Sequence, residues 1–280
     1  MKLRLARPEE TDTLAAFCGV VYGVQPSYFW RRWQHDPASG SFGVILESAG
    51  RLVGYAHVFD RLVMLDREPG RCAGIGNVAV THGERQRGHA GALVERCLRE
   101  AEARGFELSL LYTHLPRVYE ASGYRVVPTH DVVIEGTATP NGWLQASRLS
   151  TGDQRLYERA HRHRPGTIVR NPRYWAARER WLRPEGWRIF KHHEADGYCF
   201  VRQTGPNQVI DESAGGCAAL LAQGGPGPGS WRRRVPPELA TGLPSSSPPE
   251  SYPMVRRISR EPDIAALYSP AAVFWATDAF

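Results

Sequence analysis

Apolar positions along the first 135 residues switch between a period of two and a period near 3.6. Residues 2–7 alternate and predict a short strand. Pro8, Glu9 and Glu10 mark a helix start, and Leu14, Ala15, Phe17, Cys18 and Val21 supply its apolar face. A second short helix, rich in aromatics, is predicted over 26–37. Residues 42–47 and 51–59 read as a hairpin about the turn Ser48-Ala49-Gly50, and 62–66 continues the sheet. The apolar run 72–80 reads as a strand buried on both faces. The clearest helix follows, with Ala90, Leu93, Val94, Cys97, Leu98 and Ala101 on one face and Gly105 as its stop. A strand at 107–112, a short helix at 116–122 and strands at 124–127 and 131–135 complete an α/β unit of ordinary domain size.

The second half repeats this order more weakly. Helices are predicted at 154–162 and 172–181, strands at 186–192, 197–203 and 208–212, a helix at 215–223 and a last strand at 254–260. The stretch "ESAGRLVGYAHVF" (47–59) is echoed by "HEADGYCFV" (193–201), each a turn, then Gly-Tyr, then an alternating strand, which points to internal duplication. Residues 224–230 and 242–253 read as loops. The basic run "HRHR" (161–164) reads as a solvated helix face, and "WRRR" (231–234) as a strand.

Composition narrows the class. The chain has 280 residues, 42% of them hydrophobic, which fits one large or two ordinary globular domains. Its net charge of +6 is carried almost wholly by arginine and lies in the second half, the first half being neutral. The five cysteines are scattered, with neither a disulfide framework nor metal-ligand spacing, so no metal is expected. The opening residues lack the apolar core of a secretion signal, and no run approaches the ~18 apolar residues of a membrane span. A cytoplasmic protein without a membrane partner is expected.

The stretch "GNVAVTHGERQRGHAGALVERC" (76–97) carries the chemistry. Two glycines, Gly88 and Gly91, stand where the long helix begins. A helix N-terminus presents unpaired N–H groups and partial positive charge, so it takes an anion if side chains leave room. Gly88 and Gly91 lack Cβ atoms, Ala90 is small, and Arg85 and Arg87 add charge. A P-loop is excluded because no Gly-Lys-Ser/Thr ending is present, and a Rossmann fingerprint because G-x-G-x-x-G does not follow the strand.

The run Arg85-Gln86-Arg87-Gly88-His89-Ala90 resembles the R/Q-x-x-G-x-G/A loop of the GCN5-related N-acetyltransferases (GNAT), and "VYEASGY" (118–124) resembles their short tyrosine-bearing helix. The resemblance implies that Arg85, Gln86, Arg87, Gly88, His89, Ala90 and Gly91 hold the pyrophosphate of acetyl-CoA. It implies that Val78, Ala79 and Val80 pair with the pantetheine arm, that the Val80 N–H polarises the thioester carbonyl, and that Tyr119 is the general acid. The whole chain resembles the Eis-like tandem acetyltransferases. The fold this implies is α/β, with two tandem GNAT-like domains, each a mixed, mostly antiparallel sheet flanked by helices. Residues 1–140 would be the catalytic domain. Residues 141–280 would be a degenerate domain, since Gly215-Gly216-Cys217 replaces the loop, plus a tail returning toward the active site. The larger relatives' sterol-carrier-like third domain is expected to be missing.

No carboxylate lies in "CAGIGNVAV" (72–80), so the base is open. The resemblance points to the C-terminal carboxylate of Phe280, with Asp278 or a water chain as alternatives. Tyr28, Phe29, Trp30 and Trp33 are the candidate acceptor wall, since aromatic rings hold cationic amines. The expected activity is acetyl-CoA-dependent N-acetylation of a small polyamine-like or aminoglycoside-like amine. A protein or peptide amine is the alternative acceptor. A non-catalytic acyl-CoA-binding module with an arginine-rich partner-binding half is the alternative of another class. Nucleic acid is not expected as a partner, and a homo-oligomer is left open.

Overall fold

The computed structural model describes residues 1–128, 130–136, 142–192, 194–204, 207–216, 229–235, 246–247, 251–259, 264–269 and 272–274. The first half runs β1 (Lys2–Leu5), α1 (Thr11–Tyr22), α2 (Pro26–Gln34), β2 (Phe42–Ser48), β3 (Arg51–Met64), β4 (Pro69–Val80), α3 (His89–Ala103), β5 (Leu108–Thr113), α4 (Arg117–Glu120), β6 (Arg125–Val126) and β7 (His130–Gly136). The second half runs β8 (Trp143–Ala146), α5 (Thr151–His161), α6 (Pro172–Leu182), β9 (Arg188–His192), β10 (Gly197–Thr204), β11 (Asn207–Gly215), β12 (Gly229–Val235), β13 (Ser246–Ser247) and β14 (Tyr252–Arg257).

The apolar periodicities assemble a sheet covered on both faces. On one face α3 buries Leu93, Val94, Cys97 and Leu98 against Val44, Leu46, Val53 and Ala56 of β2 and β3. On the other, Leu14, Ala15, Cys18 and Phe29 of α1 and α2 pack on Ile45, Tyr55 and Ala79. Fully burying one such Leu or Phe stabilises the fold by about 1.5–3 kcal/mol. Helix α1 ends at Gly23, whose φ of 68° turns the chain into α2.

The two sheets share one plan. The first has the order β1-β2-β3-β4-β5-β14-β6, and the second, read from its β8 edge, β8-β9-β10-β11-β12-β7-β13. Each is antiparallel except for one parallel pair, β4–β5 in the first and β11–β12 in the second. The duplication read from the Gly-Tyr echo is thus visible strand by strand. It extends to the helices, where Pro26-Ser27-Tyr28-Phe29 opens α2 and Pro172-Arg173-Tyr174-Trp175 opens α6.

The sixth place in each sheet is filled from the other half. β14 lies between β5 and β6, and β7 lies between β12 and β13. Residues 131–135 were expected to finish the first unit, and 254–260 to close the second. Both segments hold strands, β7 (His130–Gly136) and β14 (Tyr252–Arg257), but sheet membership crosses the cut expected at residue 140. Alternation along a segment encodes a strand and its buried face, not its partner.

Other departures are local. Strands β3 and β4 form one long hairpin from Arg51 to Val80, pairing as far as Met64 and Pro69. No helix starts at Gly215, which closes β11 opposite Gly197 with φ 73°. A Cβ there would meet the Asp196 carbonyl oxygen at 2.2 Å, so the glycine serves a close strand approach. The rest of the helix expected at 215–223, beyond Gly216, lies outside the described residues, as does Cys217. The other four cysteines are buried. His161 of the basic run is buried, its Nε2 hydrogen-bonded to the Ser213 carbonyl at 3.1 Å. Beside it, the buried Glu212 carboxylate accepts from Arg170 at 2.7 Å and from Arg178 and Tyr198, which compensates its desolvation.

Candidate active site

Strands β4 and β5 pair in parallel only over residues 72–74 and 108–110. Beyond that they separate. The register between β3 and β4 shifts by one residue between Tyr55 and His57, and Asn77 adopts φ 54°. This is a β-bulge, which bends its strand and unpairs a residue. Trp33 of α2 fixes it, since its Nε1 donates to Asn77 Oδ1 at 3.1 Å. The separated strands open a cleft of about 420 Å³ lined by Tyr22, Tyr28, Phe29, Asn77, Val78, Leu111, Tyr112, Thr113, His114 and Tyr119, among others.

The edge of β4 facing this opening can be read from its side-chain partners. Tyr22 Oη donates to the Val78 carbonyl at 2.8 Å, and Arg85 Nε to the Val80 carbonyl at 3.2 Å. Thr81 N donates the other way, to Val53 of β3, at 3.0 Å. A strand residue presents its N–H and C=O on the same edge. The Val78 and Val80 backbone therefore faces the opening. Ala79 pairs with Tyr55 of β3 and its side chain is wholly buried against the α1 layer.

The chain then turns through the loop into α3. Gln86 adopts φ 62° and Gly88 φ 77°, and Gly88 stands at the N-cap with no side-chain cap. The first intrahelical bond runs from Ala92 N to Gly88 O. The N–H groups of His89, Ala90 and Gly91 consequently have no acceptor within the helix. A Cβ at Gly88 or Gly91 would meet nothing within 4 Å, so the space before the helix end is open. Glu84 organises the approach, with Arg87 at 3.0 Å and the buried His89 ring at 3.4 Å. Directed N–H groups, open space and two arginines fit a pyrophosphate.

Tyr119 of α4 lines the cleft, packs against the main core and meets the Tyr124 ring edge-on at 6.2 Å. Tyr124 is itself locked by Ser109, at 2.6 Å. Burial pushes the Tyr119 phenol above its ordinary range. The phenol is thus protonated at neutral pH, as a proton donor requires.

The four aromatics of α2 divide in use. Tyr28 and Phe29 line the cleft, Phe29 as a buried backing. Trp33 sits behind them, stacked on His57 at 5.2 Å. Trp30 is 39% exposed and does not line the cleft. Phe280 and Asp278 lie outside the described residues. The preceding Ala272, Val273 and Phe274 are buried, and Val273 N bonds Pro165 O at 2.7 Å.

Sequence reading missed Tyr22, Asn77 and His114. His114 is exposed at the end of β5 and faces into the cleft lining, which contains no Asp or Glu among the described residues. Only the Asn after Gly74-Ile75-Gly76 hinted at a bulge, since glycine within a strand marks one. Among the described residues no three or more His, Cys, Asp or Glu side chains gather as metal ligands, and no helix is long and apolar enough to cross a membrane.

Comparisons with known proteins bear on the family and the fold. Residues 2–127 match the family model described as "Acetyltransferase (GNAT) domain". A comparison with curated protein sequences gives no match. Among solved structures, the chain is similar to Eis1 from Mycobacterium abscessus, with 15% identity, 92% of this chain and 74% of that one covered, and TM-score 0.68. It is similar to a GCN5-related N-acetyltransferase from Kribbella flavida, with 17% identity, coverage of 92% and 72%, and TM-score 0.65. It is also similar to a tandem GNAT protein from the clavulanic acid biosynthesis pathway, with 12% identity, coverage of 93% and 100%, and TM-score 0.55. Residues 2–127 are a GNAT acetyltransferase domain.

Proposed function

We propose that the protein transfers the acetyl group of acetyl-CoA to a primary amine of a small acceptor, in the cleft between β4 and β5. The observation that supports this reading best is that Val78 of β4 and Tyr119 of α4 line one cleft next to the uncapped start of α3. Helix α3 opens with N–H groups at 89–91 that have no acceptor within the helix, the Val78 and Val80 carbonyls accept from side chains and not from a neighbouring strand, and Val78 and Tyr119 line the same cleft; these support the reading together.

When bound, acetyl-CoA supplies the activated thioester. The loop from Arg85 to Gly91 holds its pyrophosphate by backbone N–H groups and arginine charge. Val78 and Val80 pair with its pantetheine arm, and the Val80 N–H polarises the carbonyl. Tyr119 donates its proton to the departing sulfur. The amine must be neutral to attack, whereas an alkyl ammonium has a pKa near ~10.4. Its proton goes to the Phe280 carboxylate or to His114, which lines the cleft. Tyr28 and Phe29 form the acceptor wall, which supports a small cationic amine, polyamine-like or aminoglycoside-like, held by aromatic faces. Residues 141–280 act structurally, completing the first sheet through β14.

The test is mass-detected CoA release against aminoglycosides, spermidine, tyramine and lysine peptides. Turnover of a small amine supports the reading, and acetylation of the peptides alone would replace the acceptor class. Acetyl-CoA binding without turnover of any amine would favour a binding module. Removal of Phe280 and His114→Gln then separate the two bases, because the variant lacking the base loses turnover while still binding acetyl-CoA.

A further inference from the structure

We infer that Glu185, in the second half, positions the Tyr28 wall of the cleft through Arg32, so that acceptor affinity in the first half is set from the second. The inference rests on the cleft being the acceptor site, as proposed above.

The contact joins residues 153 positions apart. Arg32 donates from Nε and Nη2 to Glu185 Oε1 at 3.1 and 3.0 Å, and from Nη2 to Oε2 at 3.0 Å. This forked geometry is the one arginine makes best with carboxylate. The two side chains are only 12% and 19% exposed, so salt screens the pair little. The same guanidinium lies over the Tyr28 ring, 4.9 Å from its centroid. Tyr28 in turn meets Phe29 edge-on at 5.0 Å, and both line the cleft. Carboxylate, guanidinium, phenol and cleft thus form one stack.

The two ends of this stack differ in firmness. Helix α2 has nine residues and no side-chain cap at its N-terminus. A helix that short is marginal by itself, so its place depends on what it docks against. Glu185 sits in a 3-10 turn that follows α6 directly and is closed by Gly186 at φ 80°. The Trp187 N–H bonds back to Leu182 O at 3.2 Å. The helix dipole of α2 explains a cation in its last turn. It does not explain a forked bond to the other half of the chain. The arrangement gives Glu185 a fixed base from which to hold a wall of the cleft that it does not touch.

The experiment uses the full-length protein and E185Q, which keeps the side chain's shape and removes its charge. Amide exchange of residues 26–34 in the free protein is expected to quicken about tenfold, while α3 and β5 stay protected. With spermidine and tyramine as acceptor probes, acceptor KM is expected to rise roughly five- to tenfold, with kcat and acetyl-CoA KM within about twofold of wild type. The charge-keeping variant E185D, which leaves Arg32 over the Tyr28 ring, is expected to stay closer to wild type in acceptor KM than E185Q. Unchanged exchange in α2 would overturn the inference. So would a general rise in exchange with both KM values shifted, since that is loss of stability. If wild type acetylates neither amine, the proposed function loses support, and the α2 exchange result alone decides whether Glu185 holds the wall.

Discussion

A methyl group added at Gly91 would touch nothing in the free protein, yet helix geometry tilts it toward the N-terminus of α3, where three N–H groups have no acceptor within the helix. Gly91→Ala therefore separates folding from binding. Its melting temperature is expected to be unchanged or higher, because alanine is favoured in helices by up to about 1 kcal/mol. Its acetyl-CoA affinity is expected to fall at least about tenfold by calorimetry, since the backbone approach is blocked. Gly88 is different, because its φ of 77° itself strains any side chain. The place of both glycines at the start of α3 and of Tyr119 in a short helix was legible in the sequence, the first because helix punctuation is a local signal and the second from the family resemblance. Asn77 and His114 were not. Each gains its place from where two strands part, which no short window contains. A second residue-scale expectation concerns pH. Burial lowers His57 to about 3 and His161 to about 4. Both folded values lie below the unfolded value of about 6.5, so the unfolded chain takes up protons first as pH falls. Stability is full above that value and is lost as pH drops through it, by up to about 1.4 kcal/mol per pH unit for each histidine. Urea midpoints between pH 7.5 and 4.5 should show this slope, and H57Q and H161Q should each flatten it.

At the scale of elements, the bulge in β4 and the short helix α2 depend on each other. Trp33 holds the Asn77 side chain, and Asn77 accepts the left-handed conformation that opens the strand. Asn77→Val is expected to weaken acetyl-CoA binding several-fold, because a β-branched residue resists positive φ and draws the strand back toward regular pairing. Calorimetric titration checks this, and unaltered affinity would mean that the bulge does not shape the cleft. The strands and the long helix were legible because their burial is one-sided and periodic. The α2 aromatics were read as one wall, but helical geometry sends Trp30 to solvent and Trp33 behind the cleft. Gly215 was misread because a glycine at a strand's close approach and one at a helix start look alike in sequence.

At the scale of the molecule, the exchange of β7 and β14 makes each sheet depend on both halves. The β14 strand pairs Tyr252 with Thr113 and Pro253 with Tyr112, so the second half also holds the β5 wall of the cleft. A chain of residues 1–140 would leave β5 and β6 with unpaired edges, which favour aggregation. It is expected to be insoluble alone and to be rescued by co-expression with 141–280, as judged by solubility and cooperative melting. This exchange was not legible, since both halves offer the same strand order and a swapped partner satisfies the same alternation. The proposed site stands or falls on whether Tyr119 completes acetyl transfer in the β4–β5 cleft. The most direct measurement is the rate of CoA release, followed by mass, for wild type and Tyr119→Phe with acetyl-CoA and the amine panel. The expected result is turnover of at least one small amine by wild type. In the variant, kcat should fall about a hundredfold or more while acetyl-CoA still binds. Equal rates in the two proteins would contradict the role given to Tyr119, and a wild-type protein that does not bind acetyl-CoA would contradict the site itself.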